Sequence, residues 1–255
     1  YGLSSVLVPP VANVMIRNWG VSAAFQIIAV CFAVVLLLAS AFVEQGPEEA
    51  GQMLPGGGRD MSWREMLCQK KFYGMCAMLL CGGLSGMMVI SSASDMAQVE
   101  AGFSPAAAAL MVSVLSLFNA GGRASAGILS DKLGRIGTLS LVFPISVAAL
   151  CALFFFGQDS MAVFAVSIAL VGACFGALMG IFPGFTADEF GQRNNTVNYG
   201  ILFFGFALSG MLGPQVASWV MSGTGSYRSA FLIAAVVALA GFAFTFLPRR
   251  LAARS

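Results

Sequence analysis

One positive charge stands inside a long apolar stretch of this sequence, and a tight cluster of charges closes it. The stretch begins near Pro105 and contains Asn119-Ala-Gly-Gly-Arg123. It ends in Gly127-Ile-Leu-Ser-Asp131-Lys132-Leu-Gly134-Arg135, after which a new apolar run starts at Ile136. A charge within a membrane span costs about 2.5–3.5 kcal/mol on insertion scales, so such residues face a protein interior or a wet cavity rather than lipid. Arg123 therefore reads as an anion site. Helical steps put Ser116, Asn119, Gly127 and Ser130 on its stripe, a polar line of the kind that walls a cavity. Two plainer readings stay open. Arg123 lies eight residues before Asp131, roughly 12 Å along a helix, so it has a long but feasible reach for snorkelling to the headgroups. Asn119 equally suits a helix–helix hydrogen bond. Asp131, Lys132 and Arg135 read as a turn that ties helix ends together. The expected partner of Asp131 is the positive N-terminus of the helix starting near Thr196; an ordinary solvated turn is the alternative.

These residues need a membrane to give them meaning, and the composition supplies it. Of 255 residues 58% are hydrophobic and 9% charged, against about 25% charged in a soluble domain. The chain reads as an all-α, multi-pass membrane protein whose first partner is the lipid bilayer. No Lys/Arg block large enough for nucleic acid occurs. The absence of histidine removes the common metal ligand. Cys31, Cys68, Cys76, Cys81, Cys151 and Cys174 form no C-x-x-C and read as small buried hydrophobes. No cofactor and no metal are expected. An enzyme is not expected either, since no nucleophile–base pair or phosphate loop is visible, and no filter-like run suggests a channel.

A span needs about 20 apolar residues. Eight runs approach or meet this: 1–16, 23–43, 72–94, 105–130, 136–156, 161–187, 197–221 and 229–247. Residues 44–71 hold Gly-Pro, Pro-Gly-Gly-Gly and clustered charge, which marks a linker; its end, 63–71, reads as a short amphipathic lead-in. Grouping alternate connections puts ten of the Lys/Arg residues (Arg59, Arg64, Lys70, Lys71, Lys132, Arg135, Arg193, Arg249, Arg250, Arg254) on one side and two (Arg17, Arg228) on the other. The positive-inside rule then makes the linker and the C-terminus cytoplasmic. Trp19, Trp63 and Trp219 fall near expected interfaces. Glycine spacing at Gly82/Gly86 and Gly172/Gly176/Gly180 would let helices approach closely, and Met87, Met88 and Met211 read as packing residues.

The chain also repeats itself. Gly2-Leu-Ser-Ser with Pro9-Pro10-Val11-Ala12, Gly20 and Ala24-Phe25 returns as Leu208-Ser-Gly with Gly213-Pro214-Gln215-Val216-Ala217, Gly225 and Ala230-Phe231. The two copies stand six spans apart, as in two six-helix halves related by a parallel repeat. The chain starts at Tyr1 inside an apolar pattern, without Met or signal peptide, and reads as a piece that lacks four helices at its front. On this reading residues 1–43 are the last two helices (5–6) of the first half. Residues 44–71 are the central linker and 72–255 the second six-helix half (7–12).

With these features the sequence resembles the major facilitator superfamily. Gly127-Ile-Leu-Ser-Asp131-Lys132-Leu-Gly134-Arg135 is similar to its G-x-x-x-D-[RK]-x-G-[RK] motif. Within the superfamily it resembles the oxalate/formate antiporter family, through Gly2-Leu-Ser-Ser with Pro9-Pro10, Gly83-Leu-Ser-Gly-Met-Met-Val-Ile90, Asn119-Ala-Gly-Gly-Arg123, the stretch from Phe182 to Gly191, and Asn198-Tyr-Gly-Ile-Leu202 with Gly213-Pro214. The resemblance implies a two-half facilitator fold in the cell (inner) membrane, most simply monomeric. It implies that Arg123, with Asn119, binds a substrate carboxylate, that Phe175 and Met179 occupy positions lining the site, and that Gly127, Asp131, Lys132, Gly134 and Arg135 form a gate. The family's oxalate carrier has a lysine where this chain has Phe206, which leaves one matched cation. The expectation is a secondary transporter of small organic anions (formate, oxalate, pyruvate or lactate) by alternating access, with anion exchange favoured because no carboxylate lies mid-span; Asp95, Glu100 and Asp159 all fall in external segments. The alternatives are a proton-linked carrier of another small solute and a non-transporting sensor on the same fold.

Overall fold

The computed structural model describes residues 4–42 and 60–246, all of them helical apart from short connections, and no strand occurs among them. The chain divides into two compact units, Tyr1–Gly57 and Gly58–Ser255. Residues 43–59 of the expected linker, with Arg59, and the tail from 247 onward, with Arg249, Arg250 and Arg254, lie outside the described residues.

The first unit is α1 (Ser4–Phe42), interrupted at Gly20, whose φ of 80° breaks the helical path. The break separates the two apolar runs read from the sequence. Gly225, its counterpart in the internal repeat, also has a positive φ, 71°, and ends a helix. A left-handed residue at both repeat positions is what glycine alone adopts without strain.

The second unit holds α2 (Trp63–Leu67), α3 (Lys70–Ile90), α4 (Ala93–Ala101), α5 (Pro105–Leu133), α6 (Arg135–Phe156), α7 (Met161–Phe190), α8 (Asn195–Leu202), α9 (Phe204–Thr224) and α10 (Arg228–Phe244). Their starts are locally encoded. Ser62 and Glu65 form a reciprocal capping box before α2. Ser104 accepts from the Ala107 N–H, with Pro105 in the first turn, and Ser160 accepts from Val163 N–H. Six helices among the described residues are long and apolar enough to cross a membrane, α8 and α9 together counting as one; α10 is apolar but 17 residues long.

Within this unit α7 is central. It packs on α5, α6 and α3, while α3 also packs on α9 and α10. The glycine ladder read from the sequence is the α5–α7 contact. A Cβ on Gly172 would lie 2.7 Å from the Leu115 carbonyl oxygen, one on Gly176 would strike Asn119, and one on Gly180 would lie 2.8 Å from the Arg123 carbonyl oxygen. The matching order shows that α5 and α7 run in the same direction, with backbones close enough for small-residue packing. Gly82 and Gly86 likewise seat Leu178 and Phe175 of α7 against α3.

Three expectations change. The apolar run expected to end at Ser94 stops at Ile90 and is followed by a separate helix, α4, after a turn at Ser91–Ser92. Met211 is exposed, whereas Met88 is fully buried and Met87 packs partly buried against the core. Of the cysteines, only Cys174 is buried; Cys31 and Cys68 are exposed and the others are half-buried. The reason is common to both side-chain cases. In a bilayer the solvent for a helix face is itself apolar, so hydrophobicity does not mark the face that meets protein.

Candidate anion site and charged turn

The site is built on α5 about one turn past its middle. Arg123 is half-buried, and its Nε donates to Asn119 Oδ1 one turn earlier at 3.5 Å, a long bond that orients the guanidinium along the helix. Asn119 is itself held in register because Gly176 of α7 leaves room for its backbone and amide oxygen. On the rest of the stripe Ser116 and Ser130 are buried, and Ser130 Oγ donates to the Gly127 carbonyl at 2.8 Å. Arg123 lies ten residues before the end of α5 at Leu133, about 15 Å along the axis.

From α7, α8 and α9 the chain assembles a ladder of rings. Phe175 meets Phe206 at 5.9 Å between centroids, Phe206 meets Phe203 at 4.6 Å, and Phe203 meets Tyr199 at 5.4 Å. All three pairs are tilted, the offset arrangement that ring quadrupoles prefer. The ladder rests on α3, where a Cβ on Gly83 would lie 3.4 Å from Phe206 and one on Gly86 would strike the Phe175 ring. Tyr199, at the far end, lies one turn past Asn195, whose Nδ2 donates to the Pro183 carbonyl, three residues along α7 from the Gly180 that packs on Arg123.

The structure therefore brings together Asn119, Arg123, Phe175 and Phe206, but not all as surface. Phe175 and Met179 are buried and back the site, while Asn119, Arg123, Phe206 and Tyr199 keep exposed area. Tyr199 was not singled out from the sequence, although its place in Asn198-Tyr-Gly was noted. A guanidinium opposite an aromatic wall can hold one carboxylate in a bidentate fork. A second carboxylate set against Phe206 would be desolvated without a partner, which is costly for an ion. A groove of about 570 Å³ between α3 and α8, lined by Leu67, Tyr73, Cys76, Val197 and Phe204, is almost wholly apolar and contains none of the candidate residues. It has nothing with which to bind an anion, so the chemistry points to Arg123.

The charged turn is organised differently from the expectation. α5 and α6 are joined by Gly134 alone, whose φ of 77° reverses the chain. That places Arg135 at the start of α6, pointing back. Its Nη1 donates to Asp131 Oδ1 at 3.1 Å and to Ser130 Oγ, and its Nε donates to Asp188 Oδ2 of α7 at 2.8 Å. Asp131 thus pairs with Arg135 rather than with the start of α8 near Thr196, because the one-residue turn delivers a guanidinium first. Lys132 and Gly134 are exposed and Gly127 half-buried. A second bridge, Lys71 Nζ to Glu189 Oε2 at 2.9 Å, joins α3 to the same end of α7. Asp188 and Glu189 sit in the last turn of α7, where the macrodipole disfavours acids; Arg135 and Lys71 offset that. A legible signal existed: two acids ending an apolar span, with basic residues at the same level of its neighbours.

At the opposite end Glu100, buried on α4, is a hub that the sequence did not reveal. Its Oε2 accepts from Gln158 Nε2 at 2.6 Å and its Oε1 from Ser226 Oγ at 2.9 Å and the Tyr227 N–H. Burial and the nearby Asp95 raise the Tyr227 phenol above its ordinary pKa. One carboxylate thereby joins α4 to the α6–α7 and α9–α10 turns.

Comparison with known proteins agrees with this architecture. The family model for the Major Facilitator Superfamily matches residues 1–214. The chain is 29% identical over 209 residues to the uncharacterized MFS-type transporter YhjX of Escherichia coli, covering 82% of this chain and 52% of that protein. It is 26% identical over 245 residues to the oxalate:formate antiporter of Oxalobacter formigenes, covering 95% and 58%. It is 27% identical over 150 residues to monocarboxylate transporter 12 of Xenopus laevis, covering 58% and 31%. Among solved structures it resembles the transporter FucP in its outward conformation, with a TM-score of 0.66 at 16% identity, covering 89% of this chain and 54% of that one. The chain spans about half the length of the first two of these relatives.

Proposed function

Since the chain belongs to the Major Facilitator Superfamily, we propose that it carries small organic anions across the cell membrane by alternating access, as anion exchange, with monocarboxylates preferred to oxalate. The observation that supports this most is Arg123, half-buried within a span and paired with Asn119, in a site where Phe206, stacked between Phe175 and Phe203, stands in place of a second cation. The relatives named for oxalate:formate antiport and monocarboxylate transport favour the same ligand class. Residues 1–43 then contribute helices 5–6 of the first half, 44–71 the cytoplasmic linker and 72–255 the second half. The charged turn at Asp131–Arg135 biases one access state.

The test is competition uptake by the full-length protein in vesicles, using formate, lactate, pyruvate and oxalate. Monocarboxylates should compete best. Arg123→Gln should abolish uptake, and Arg123→Lys should keep part of it, since lysine retains the charge but loses the planar fork. Oxalate outcompeting the monocarboxylates in the wild type would refute the one-cation argument.

A further inference from the structure

Tyr199 carries a hydroxyl where packing asks only for a ring. It stacks on Phe203 at 5.4 Å and continues the wall formed by Phe206 and Phe175. Three of the four rungs are phenylalanine, so the phenol oxygen adds nothing to the stack. That oxygen makes no hydrogen bond among the described residues, and Tyr199 is half-buried rather than fully exposed. A phenol O–H can both donate and accept a hydrogen bond. Asn195, one turn before Tyr199, meets the Pro183 carbonyl of α7, and Arg123 packs on Gly180 of the same helix, so Tyr199 stands near the level of Arg123, a group with no acceptor of its own to offer.

The orientation of Tyr199 is set from outside the site. Asn198, the preceding residue, is fully buried, and its Nδ2 donates to the Met61 carbonyl at 3.1 Å. Asn194 Nδ2 donates to the same carbonyl at 3.2 Å, and the Met61 N–H donates to the Phe190 carbonyl at 2.9 Å. Asn195 Nδ2 reaches the Pro183 carbonyl of α7 at 3.4 Å. The first turn of α8 is thereby pinned on one side to the segment leading into α2 and on another to α7. With its rotation fixed, the next residue stands about 100° further round the helix, on the side that carries Phe203 and Phe206.

We infer that Tyr199 is a substrate contact: its O–H donates to the carboxylate that Arg123 holds, so that donors from α5 and α8 meet on one anion. The inference rests on the carboxylate reading above. It places the contact on the carboxylate itself, common to every substrate, whereas Phe203 and Phe206 meet the substrate's apolar tail.

The experiment uses the full-length transporter in proteoliposomes, wild type, Arg123→Gln, Tyr199→Phe and Phe203→Leu, with formate and pyruvate as substrates. Tyr199→Phe should raise KM about tenfold for both substrates, the order expected for one lost hydrogen bond to a charged group, with maximal rate within about twofold. Phe203→Leu should weaken pyruvate more than formate. The second readout is the rise in melting temperature of purified protein on adding pyruvate; Tyr199→Phe should keep the ligand-free value and lose most of the rise. Wild-type-like KM and an equal rise in Tyr199→Phe, with Arg123→Gln inactive, would overturn the role of Tyr199 and leave the carboxylate reading standing. No saturable uptake of either anion by the wild type would overturn both.

Discussion

Gly176 of α7 lies so close to Asn119 of α5 that a Cβ there would strike the Asn119 carbonyl, with the amide Oδ1 2.7 Å away. The residue that orients Arg123 is therefore positioned by the absence of a side chain on another helix. Helix packing and the orientation of Arg123 share one contact.

The first expectation follows from that contact. Gly176→Ala should lower the abundance and melting temperature of the protein, because the obstacle is backbone that cannot rotate away. Gly121→Ala is the control, since a Cβ there meets nothing within 4 Å and alanine is the better helix former. Thermal unfolding of the two purified variants checks this. Equal melting temperatures would show that α5 and α7 can move apart.

The linker-side bridge makes a different kind of claim. Arg135 joins Asp131 and Asp188 at 3.1 and 2.8 Å. If contacts across these helix ends bias one access state, Arg135→Gln and Asp188→Asn should each change the transport rate far more than the abundance. The double variant should be no worse than the stronger single one, because both remove the same link. Asp131→Asn should have the smaller effect, as Asp131 is largely exposed. Initial rates in vesicles normalised to protein decide the matter; additive effects would mean that the two residues act separately.

At the other end, Glu100→Ala strands the buried Tyr227 N–H, while Gln158 and Ser226 can turn to water. An unsatisfied buried group costs about 1–3 kcal/mol, so the melting temperature should fall by about 4 °C. Glu100→Gln should recover much of it, because an amide oxygen in the Oε1 place still accepts from Ser226 and Tyr227. A scan of both variants in detergent is the measurement, and an unchanged value for Glu100→Ala would mean that the loops are held by their apolar contacts alone.

Charge selectivity is open to a gain-of-function test. Phe206 sits among Phe175, Phe203 and Gly83 at the edge of the site. Phe206→Lys supplies a second cation and should raise oxalate uptake relative to formate. Competition assays on the variant check it; an unchanged ratio would show that a second carboxylate does not approach this position.

Orientation has a native reporter. Cys68 is exposed, between α2 and α3 at the linker side. In a variant keeping only this cysteine, a membrane-impermeant maleimide should label inside-out vesicles and not intact cells. Labelling of intact cells would invert the topology.

The membrane class, the positions of the runs and the oddity of Arg123 were legible in the sequence because insertion energy is additive over a local window of about 20 residues. The break near Gly20, between two runs read as separate, was legible for a related reason: glycine acts on its own neighbours. The tertiary structure decided everything that depends on azimuth. Arg135 meets Asp188, 53 residues on, instead of Asp131 meeting the start of α8. Glu100 gathers two turns 58 and 126 residues away. Phe206 joins Phe175 rather than lining the site by itself, and Met211 faces outward although it is as apolar as Met88. In a bilayer the usual guide to azimuth is missing, because both lipid and protein accept an apolar side chain. Only glycines meeting backbone, and polar groups that must find partners, select one rotation of each helix, and those choices join residues far apart in the chain.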